Sequence, residues 1–269
     1  MAKWWNPSVE AGDKRLTFWP QVLIAVAFYV VYSLVGDVAK ASRTSAVDNA
    51  IKEINLERSL GLYFEQHLQR VTLNLPNLIK FANLYYVTVH FVLPVVILVL
   101  LFRRSGVRFR MYRNVFAILT ILGFLVYLVD PVAPPRLLPH AYHFIDTQAV
   151  YGGAGNLDAT LMKEGGDPYA AMPSLHFAWA LWCTIAGWGI VRSWWAKTLL
   201  FIHPLLTIWV VIVTANHLAI EIVAGAVALW ISMLVAGAFR PIRRGWWSQA
   251  QEASASRHRV VFVNGLRTT

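Results

Sequence analysis

Two histidines and one glutamate have the residue types and spacing suited to nucleophilic catalysis. His217 and Glu221 lie four residues apart, so on a helix they face the same side, and the carboxylate can accept a hydrogen bond from one imidazole nitrogen. Such a bond fixes the tautomer of the ring and leaves the other nitrogen free to attack an electrophile. His176 can then handle protons, giving one to a leaving alkoxide and taking one from the incoming water or alcohol. We therefore predict that His217, His176 and Glu221 are catalytic.

A second set of residues could bind a phosphate group. Arg136 offers a planar pair of donors, Ser174 a hydroxyl, and the backbone near Leu175 the amides of a helix start. Asn216 borders the histidine and could also donate, although we favour a role for Asn216 and Thr214 in capping the turn between two helices. The pattern predicts a phosphate cradle of Arg136, Ser174 and Leu175, with Asn216 beside it.

Three further polar residues, Asn83, Tyr86 and His90, fall on one face of a predicted helix. They could line a pocket for a lipid headgroup. Alternatively, they could form hydrogen bonds between helices, a common role for such residues in membrane bundles. The sequence allows both interpretations.

A zinc site is the competing chemistry, because two histidines and a carboxylate are a known catalytic ligand set. The ligands in question would again be His176, His217 and Glu221. These positions lack the usual local ligand spacing. We expect no metal and no other cofactor.

Composition indicates a membrane protein. Hydrophobic residues make up 57% of the 269 residues and charged residues only 14%, which is too little charge for an ordinary solvated surface. The net charge of +10 comes from basic residues clustered between apolar runs, a distribution explained by the positive-inside rule. We therefore expect a membrane as partner and no nucleic acid.

Apolar periodicity predicts an all-α fold, a polytopic membrane bundle of about six transmembrane helices. The predicted spans are 16–38, 83–102, 114–129, 175–191, 198–214 and 217–239. Segment 45–80 mixes charge with leucines and is predicted to form amphipathic helices at the membrane interface, with a solvent-exposed helical hairpin as the alternative. We treat 1–247 as one membrane-embedded catalytic domain, with its motifs within 83–225. Residues 248–269 are predicted to be a basic, flexible cytoplasmic tail.

Basic residues predict the orientation of the bundle. Arginines fill the stretch 103–113, which we interpret as a short loop after the second span, and others precede the first span and follow the last. These segments should face the cytoplasm. Both termini are then cytoplasmic, the first span is an uncleaved anchor, and the candidate site faces the opposite side, in a multi-pass protein of the plasma membrane.

The ordered motifs resemble those of the type 2 phosphatidic acid phosphatase superfamily. Pro173, Ser174, Leu175 and His176 resemble its Pro-Ser-Gly-His block, with leucine in place of glycine. Arg136 resembles the arginine of its first motif, and His217 with Glu221 resembles a third motif that has aspartate at the second position. The third motif's serine-arginine pair would fall at Val210 and Val211. Pro-Ser-Leu-His and the missing pair are closer to the branch of inositol phosphorylceramide synthase.

The resemblance implies a lipid phosphatase or phosphotransferase that works through a phosphohistidine. His217 would be the nucleophile, Glu221 its orienting carboxylate, His176 the acid and base, and Arg136 and Ser174 phosphate ligands. The substrate would be a lipid phosphate or diphosphate at the outer leaflet, and the acceptor either water or a polyol or sugar hydroxyl, such as that of inositol. A non-catalytic, lipid-binding membrane protein is the alternative from a different class.

Overall fold

Apolar helices dominate the computed structural model, which describes residues 8–11, 14–23, 42–152 and 168–237. The helices are α1 (Arg43–Ser59), α2 (Glu65–Thr72), α3 (Pro76–Arg104), α4 (Gly106–Val129), α5 (Thr147–Tyr151), α6 (Leu175–Trp188), α7 (Trp194–Val213) and α8 (Ala219–Val235). Helices α3, α4 and α7 are long and apolar enough to cross a membrane, and α8 is a shorter apolar helix. The expected all-α membrane bundle is confirmed, and five of the six predicted spans coincide with α3, α4, α6, α7 and α8.

The first predicted span begins differently from our expectation. Residues Lys14–Thr17 form a strand, β2, that pairs antiparallel with β1 (Ser8–Ala11). Helical structure follows only from residue 18 to residue 23 of the described chain. Residues 24–38 of this span and the predicted tail, 248–269, lie outside the described residues.

The basic stretch 103–113 is helical instead of being the predicted loop. Helix α3 ends at Arg104 and α4 begins at Gly106, so Ser105 alone separates them. The Ser105 hydroxyl caps α4 by accepting a hydrogen bond from the Arg108 N–H at 3.4 Å. Long arginine side chains on a helix end can reach water while their stems cover apolar surface, so charge at this position does not require a loop.

The main core forms where α4, α6 and α8 meet, and its buried side chains include Leu119, Leu175, Trp182 and Leu229. Trp182 is fully enclosed, and its indole N–H donates to the Tyr112 carbonyl at 3.1 Å. This hydrogen bond joins α6 to α4 within the apolar core. The three helices therefore hold the start of α6 and the start of α8 side by side.

Helices α1 and α2 pack across that same end of the bundle. Ala46, Ala50 and Ile54 of α1 are completely buried, and the Ala46 carbonyl accepts a hydrogen bond from the Ala133 N–H at 3.0 Å. Gln69 of α2 donates to the Val213 carbonyl at 3.1 Å. The segment forms helices, as predicted, and it is not the solvated hairpin of the alternative interpretation, because its inner side is buried against the loop after α4 and the end of α7.

Candidate active site

His217 and Glu221 lie at the junction of α7 and α8. Ala215 has a left-handed backbone conformation, with φ 52°, which turns the chain so that the N–H groups of Asn216 and His217 both bond to the Val211 carbonyl, at 2.9 and 3.1 Å. His217 thereby precedes α8, and Glu221 falls in its first turn. Glu221 Oε2 lies 2.6 Å from His217 Nδ1, and both side chains are buried.

His176 faces the other side of the His217 ring. The His176 Nδ1 atom lies 3.2 Å from His217 Nε2. Tyr86 of α3 stacks on the His176 ring at a centroid distance of 4.3 Å, and His90 lies beside it at 4.2 Å. The two rings from α3 therefore fix the orientation of His176 by packing.

Ser174 joins the two histidine segments through its backbone and caps α6 with its side chain. Its N–H donates to the Glu221 carbonyl at 3.0 Å, and its hydroxyl accepts from the Phe177 N–H at 3.5 Å. The Tyr127 hydroxyl donates to the Pro173 carbonyl at 2.8 Å. The start of α6 is thus tied to both α8 and α4.

The Leu175 side chain points away from the histidines. It packs against Gly123 of α4 so closely that a Cβ on that glycine would lie 2.7 Å from Leu175 Cδ2. Only the backbone of Leu175 is available to a ligand at the start of α6. Its leucine side chain is explained by core packing on α4.

Arg136 approaches the histidines from the loop after α4. Its N–H donates to the Ala215 carbonyl at 2.9 Å, and its guanidinium is close enough to act electrostatically on both His176 and His217. Val132, four residues before Arg136, is bonded to the segment before Ser174. Its N–H donates to the Tyr169 carbonyl at 2.9 Å, and its carbonyl accepts from the Ala171 N–H at 3.2 Å. Backbone bonds therefore hold the arginine segment and both histidine segments together.

The remaining predicted binding residues differ in their placement. Asn83 uses its amide to hold α5: its Nδ2 donates to the Thr147 carbonyl at 2.9 Å, and its Oδ1 accepts from the Thr147 hydroxyl at 2.8 Å. Asn216 Nδ2 donates to the Thr214 hydroxyl at 2.7 Å, the turn-capping contact that we favoured. Tyr86 and His90 do adjoin His176, and neither ring nitrogen of the buried His90 has a hydrogen-bond partner.

Three glutamates behind the histidines were not identified from the sequence. Glu57 of α1 accepts a hydrogen bond from the Ile220 N–H at 2.8 Å, and Glu65 of α2 accepts from the Ala219 N–H at 2.9 Å. These carboxyl groups satisfy the first free amides of α8. Burial raises the pKa of Glu57 to about 8, with the Ile220 N–H acting against burial and Glu65 acting with it. The third, Glu53, contacts Glu221 itself.

The signal for these glutamates in the sequence is weak. Glu53 and Glu57 are four residues apart in a segment that also carries lysine and arginine, and such a pattern is typical of a solvated helix face. Their partners are more than 150 residues away along the chain. Nothing local indicates that the acidic side turns inward.

His217 contacts both Glu221 and His176, one through each ring nitrogen. Within the described part of the chain, no group of three His, Cys, Asp or Glu side chains is arranged to hold a metal ion. The carboxylate instead bonds to one nitrogen of His217, and the second histidine faces the other. An arginine stands beside both rings. Side chains of these types in contact are the ones that nucleophilic attack at phosphorus would require.

Fold and site together define an integral membrane protein with a histidine pair, buried His217 and half-buried His176, at one end of its bundle. A family model described as the PAP2 superfamily matches residues 53–235, which include every motif segment. The chain belongs to the PAP2 superfamily, whose members are generally phosphatases and phosphotransferases. Comparison with curated proteins and with solved structures finds no match.

Proposed function

We propose that this protein cleaves a phosphoester of a lipid phosphate or diphosphate through a phosphohistidine on His217. The observation that carries the proposal is the contact of Glu221 Oε2 with His217 Nδ1 at 2.6 Å, while His217 Nε2 faces His176 at 3.2 Å. A carboxylate on one ring nitrogen directs the lone pair to the other and stabilises the cation that forms when the ring is phosphorylated.

In the first step, His217 Nε2 attacks phosphorus, and the bond from phosphorus to the lipid oxygen breaks. Protonated His176 gives its proton to that oxygen, so the lipid leaves as an alcohol, or as a lipid monophosphate when the substrate is a diphosphate. Arg136 neutralises charge on the phosphoryl oxygens during the transfer. The reacting phosphoryl group takes the place of the direct contact between the two imidazole rings.

In the second step, neutral His176 removes a proton from water or from an alcohol, and the resulting nucleophile attacks phosphorus. The bond between phosphorus and His217 Nε2 breaks, and the ring returns to its neutral form. The product is free phosphate when water reacts and a new phosphoester when a polyol or sugar reacts. An alcohol acceptor in place of water is the alternative that the resemblance to the branch of inositol phosphorylceramide synthase suggests.

We infer that the reaction takes place on the extracytoplasmic side of the plasma membrane, with both termini in the cytoplasm. Arg103 and Arg104 end α3, Arg108 lies in the first turn of α4, and the α6–α7 connection carries Arg192. Arg104 hydrogen-bonds to the Ile190 carbonyl, so the two connections lie together. The histidines lie where α6 and α8 begin and α7 ends, at the opposite end of the bundle. The positive-inside rule favours the cytoplasm for the basic end.

The test is phosphate release from a panel of lipid phosphates and diphosphates, with chelator present, in detergent. We compare the natural protein with His217→Asn and with His67→Asn, a control at an exposed histidine whose ring contacts Arg70. We expect activity that survives the chelator and falls by at least ~10³-fold in His217→Asn only. A radiolabelled phosphoryl group should also remain on the natural protein as an acid-labile, alkali-stable adduct.

Parallel reactions with inositol and sugars identify the acceptor. Label in a new phosphoester with little free phosphate supports the transferase, and free phosphate supports the phosphatase. Turnover retained in His217→Asn contradicts the nucleophile assignment. Neither release nor transfer by the natural protein supports a non-catalytic, lipid-binding role and overturns the proposal.

A further inference from the structure

The carboxyl group of Glu53 lies behind Glu221, on the side away from His217. The two carboxyl groups are within hydrogen-bonding distance of each other. Two buried oxygens, Glu53 Oε2 and Glu221 Oε1, have no donor partner among the residues that the structure describes. Two carboxylates in contact repel each other, and a buried acceptor without a donor is costly. One proton held between the two groups removes both problems.

The proton belongs on Glu53. Glu221 Oε2 accepts from His217 Nδ1, a contact that favours the charged form of Glu221. Glu53 has no such donor, and burial raises its pKa to about 10, with the nearby Glu221 carboxylate acting in the same direction. At neutral pH, Glu53 is therefore a carboxylic acid that can donate.

We propose that Glu53 is a positioning residue for the reaction: as a neutral acid it donates a hydrogen bond to Glu221 and so holds that carboxylate against His217 Nδ1. The inference rests on the proposed function, because it concerns the orientation of the nucleophile. Glu53 touches neither the phosphoryl group nor His217. It acts only through Glu221.

The charges around Glu53 agree with a neutral acid at this position. The groups that act on it are Glu221 from α8, Asp130 from the end of α4, and Glu57 one turn along α1. All three are acidic. Asp130 also accepts a hydrogen bond from Asn49 at 2.7 Å. No cation among these neighbours offsets the charge that Glu53 would acquire on losing its proton.

The variants Glu53→Gln and Glu53→Ala separate positioning from general packing. The glutamine amide is similar in size to the neutral acid and can donate the same hydrogen bond. We expect its kcat at neutral pH to stay within ~3-fold of that of the natural protein. Alanine removes the donor, and we expect kcat to fall about 10- to 100-fold with little change in KM, the range found for partners of functional histidines.

The pH profile adds a readout that packing alone would not move. When Glu53 loses its proton, repulsion displaces Glu221, so the natural protein should lose kcat as pH approaches about 10. Glu53→Gln has no proton to lose and should retain more activity over that range. Glu57, whose pKa burial raises to about 8, is present in both proteins, so the comparison is made above that pH. Asp48→Asn, which removes an exposed carboxylate from the same helix, should match the natural protein.

Infrared spectroscopy tests the proton without turnover. At neutral pH, subtracting the spectrum of Glu53→Gln from that of the natural protein should leave the carbonyl band of one protonated carboxylic acid beyond the contribution of Glu57, and Asp48→Asn should retain this band. Identical infrared spectra of the natural protein and Glu53→Gln overturn the inference. A kcat and a pH profile in Glu53→Ala that equal those of the natural protein also overturn it. Equal loss in Glu53→Gln and Glu53→Ala also overturns it. Retained turnover in His217→Asn instead overturns the proposed function, so the two failures are distinguishable.

Discussion

Gly225 is the point where α8 comes closest to the start of α6. An alanine Cβ at this position would lie 2.5 Å from the Ser174 carbonyl oxygen, whereas ordinary contact begins at about 3.4 Å. The missing 0.9 Å cannot be recovered by rotating a side chain, because the obstructing atom belongs to the backbone at the cap of α6. Gly225→Ala must therefore move one helix end relative to the other.

The displacement has a cost in stability and a larger cost in rate. Overpacking of this kind costs about 1–3 kcal/mol. A separation approaching 1 Å breaks the bond from the Ser174 N–H to the Glu221 carbonyl, now 3.0 Å, and shifts His176 relative to His217. Misplacement of reacting groups by about 1 Å can lower a rate by ~10²-fold. We expect kcat of Gly225→Ala to fall about 10- to 100-fold.

The assay compares kcat and thermal unfolding of Gly225→Ala and Gly187→Ala in detergent, on the substrate that the natural protein turns over best. At Gly187, the added Cβ would meet the tips of Leu200 and Ile97, at 2.9 and 3.0 Å, near the end of α6 that is remote from the histidines. We expect Gly187→Ala to lower Tm while kcat stays within ~3-fold. A natural kcat in Gly225→Ala, or equal losses of kcat in both variants, would refute the reasoning.

Three further predictions follow from buried contacts. Leu175→Ala leaves a cavity and should lower the free energy of unfolding by about 2–5 kcal/mol, and Gly123→Ala creates a clash and should lower it by about 1–3 kcal/mol. In a double-mutant cycle, the double variant should lose less free energy of unfolding than the sum of the two single losses. Gln69→Leu should lower the free energy of unfolding by about 1–3 kcal/mol, because it leaves buried backbone groups such as the Val213 carbonyl without a partner; an unchanged Tm contradicts this. Between pH 4.5 and about 10, the folded protein keeps the Glu53 proton while the unfolded chain loses it. Over this range, Tm of the natural protein should therefore fall more steeply with pH than Tm of Glu53→Gln. Parallel curves of Tm against pH contradict the assignment of the proton to Glu53.

The features that the sequence predicts well are local. The His217–Glu221 contact joins residues four apart, and helical periodicity predicts it even though the helix begins only at Ala219. The apolar runs likewise predict the spans, because residue type alone shows which segments are apolar. The start of α4 was missed because arginines after Ser105 were interpreted as a loop, whereas that serine caps a helix.

The features that sequence analysis missed depend on distant contacts. Glu57 and Glu65 bond to residues 163 and 154 positions away, and no spacing rule connects such positions. The polar face that suggested a headgroup pocket is divided in the structure, because Asn83 holds α5 while Tyr86 packs on His176. The folded bundle is needed to see which face of a helix contacts a loop that is distant in sequence.

Helices α1 and α2 bond mainly to main-chain atoms of the segments that carry the site. Ala46 bonds to the Ala133 N–H, Glu57 to the Ile220 N–H, and Gln69 to the Val213 carbonyl. Every amino acid except proline presents the same main-chain groups. A substitution other than proline at Ala133, Ile220 or Val213 should therefore leave these hydrogen bonds in place.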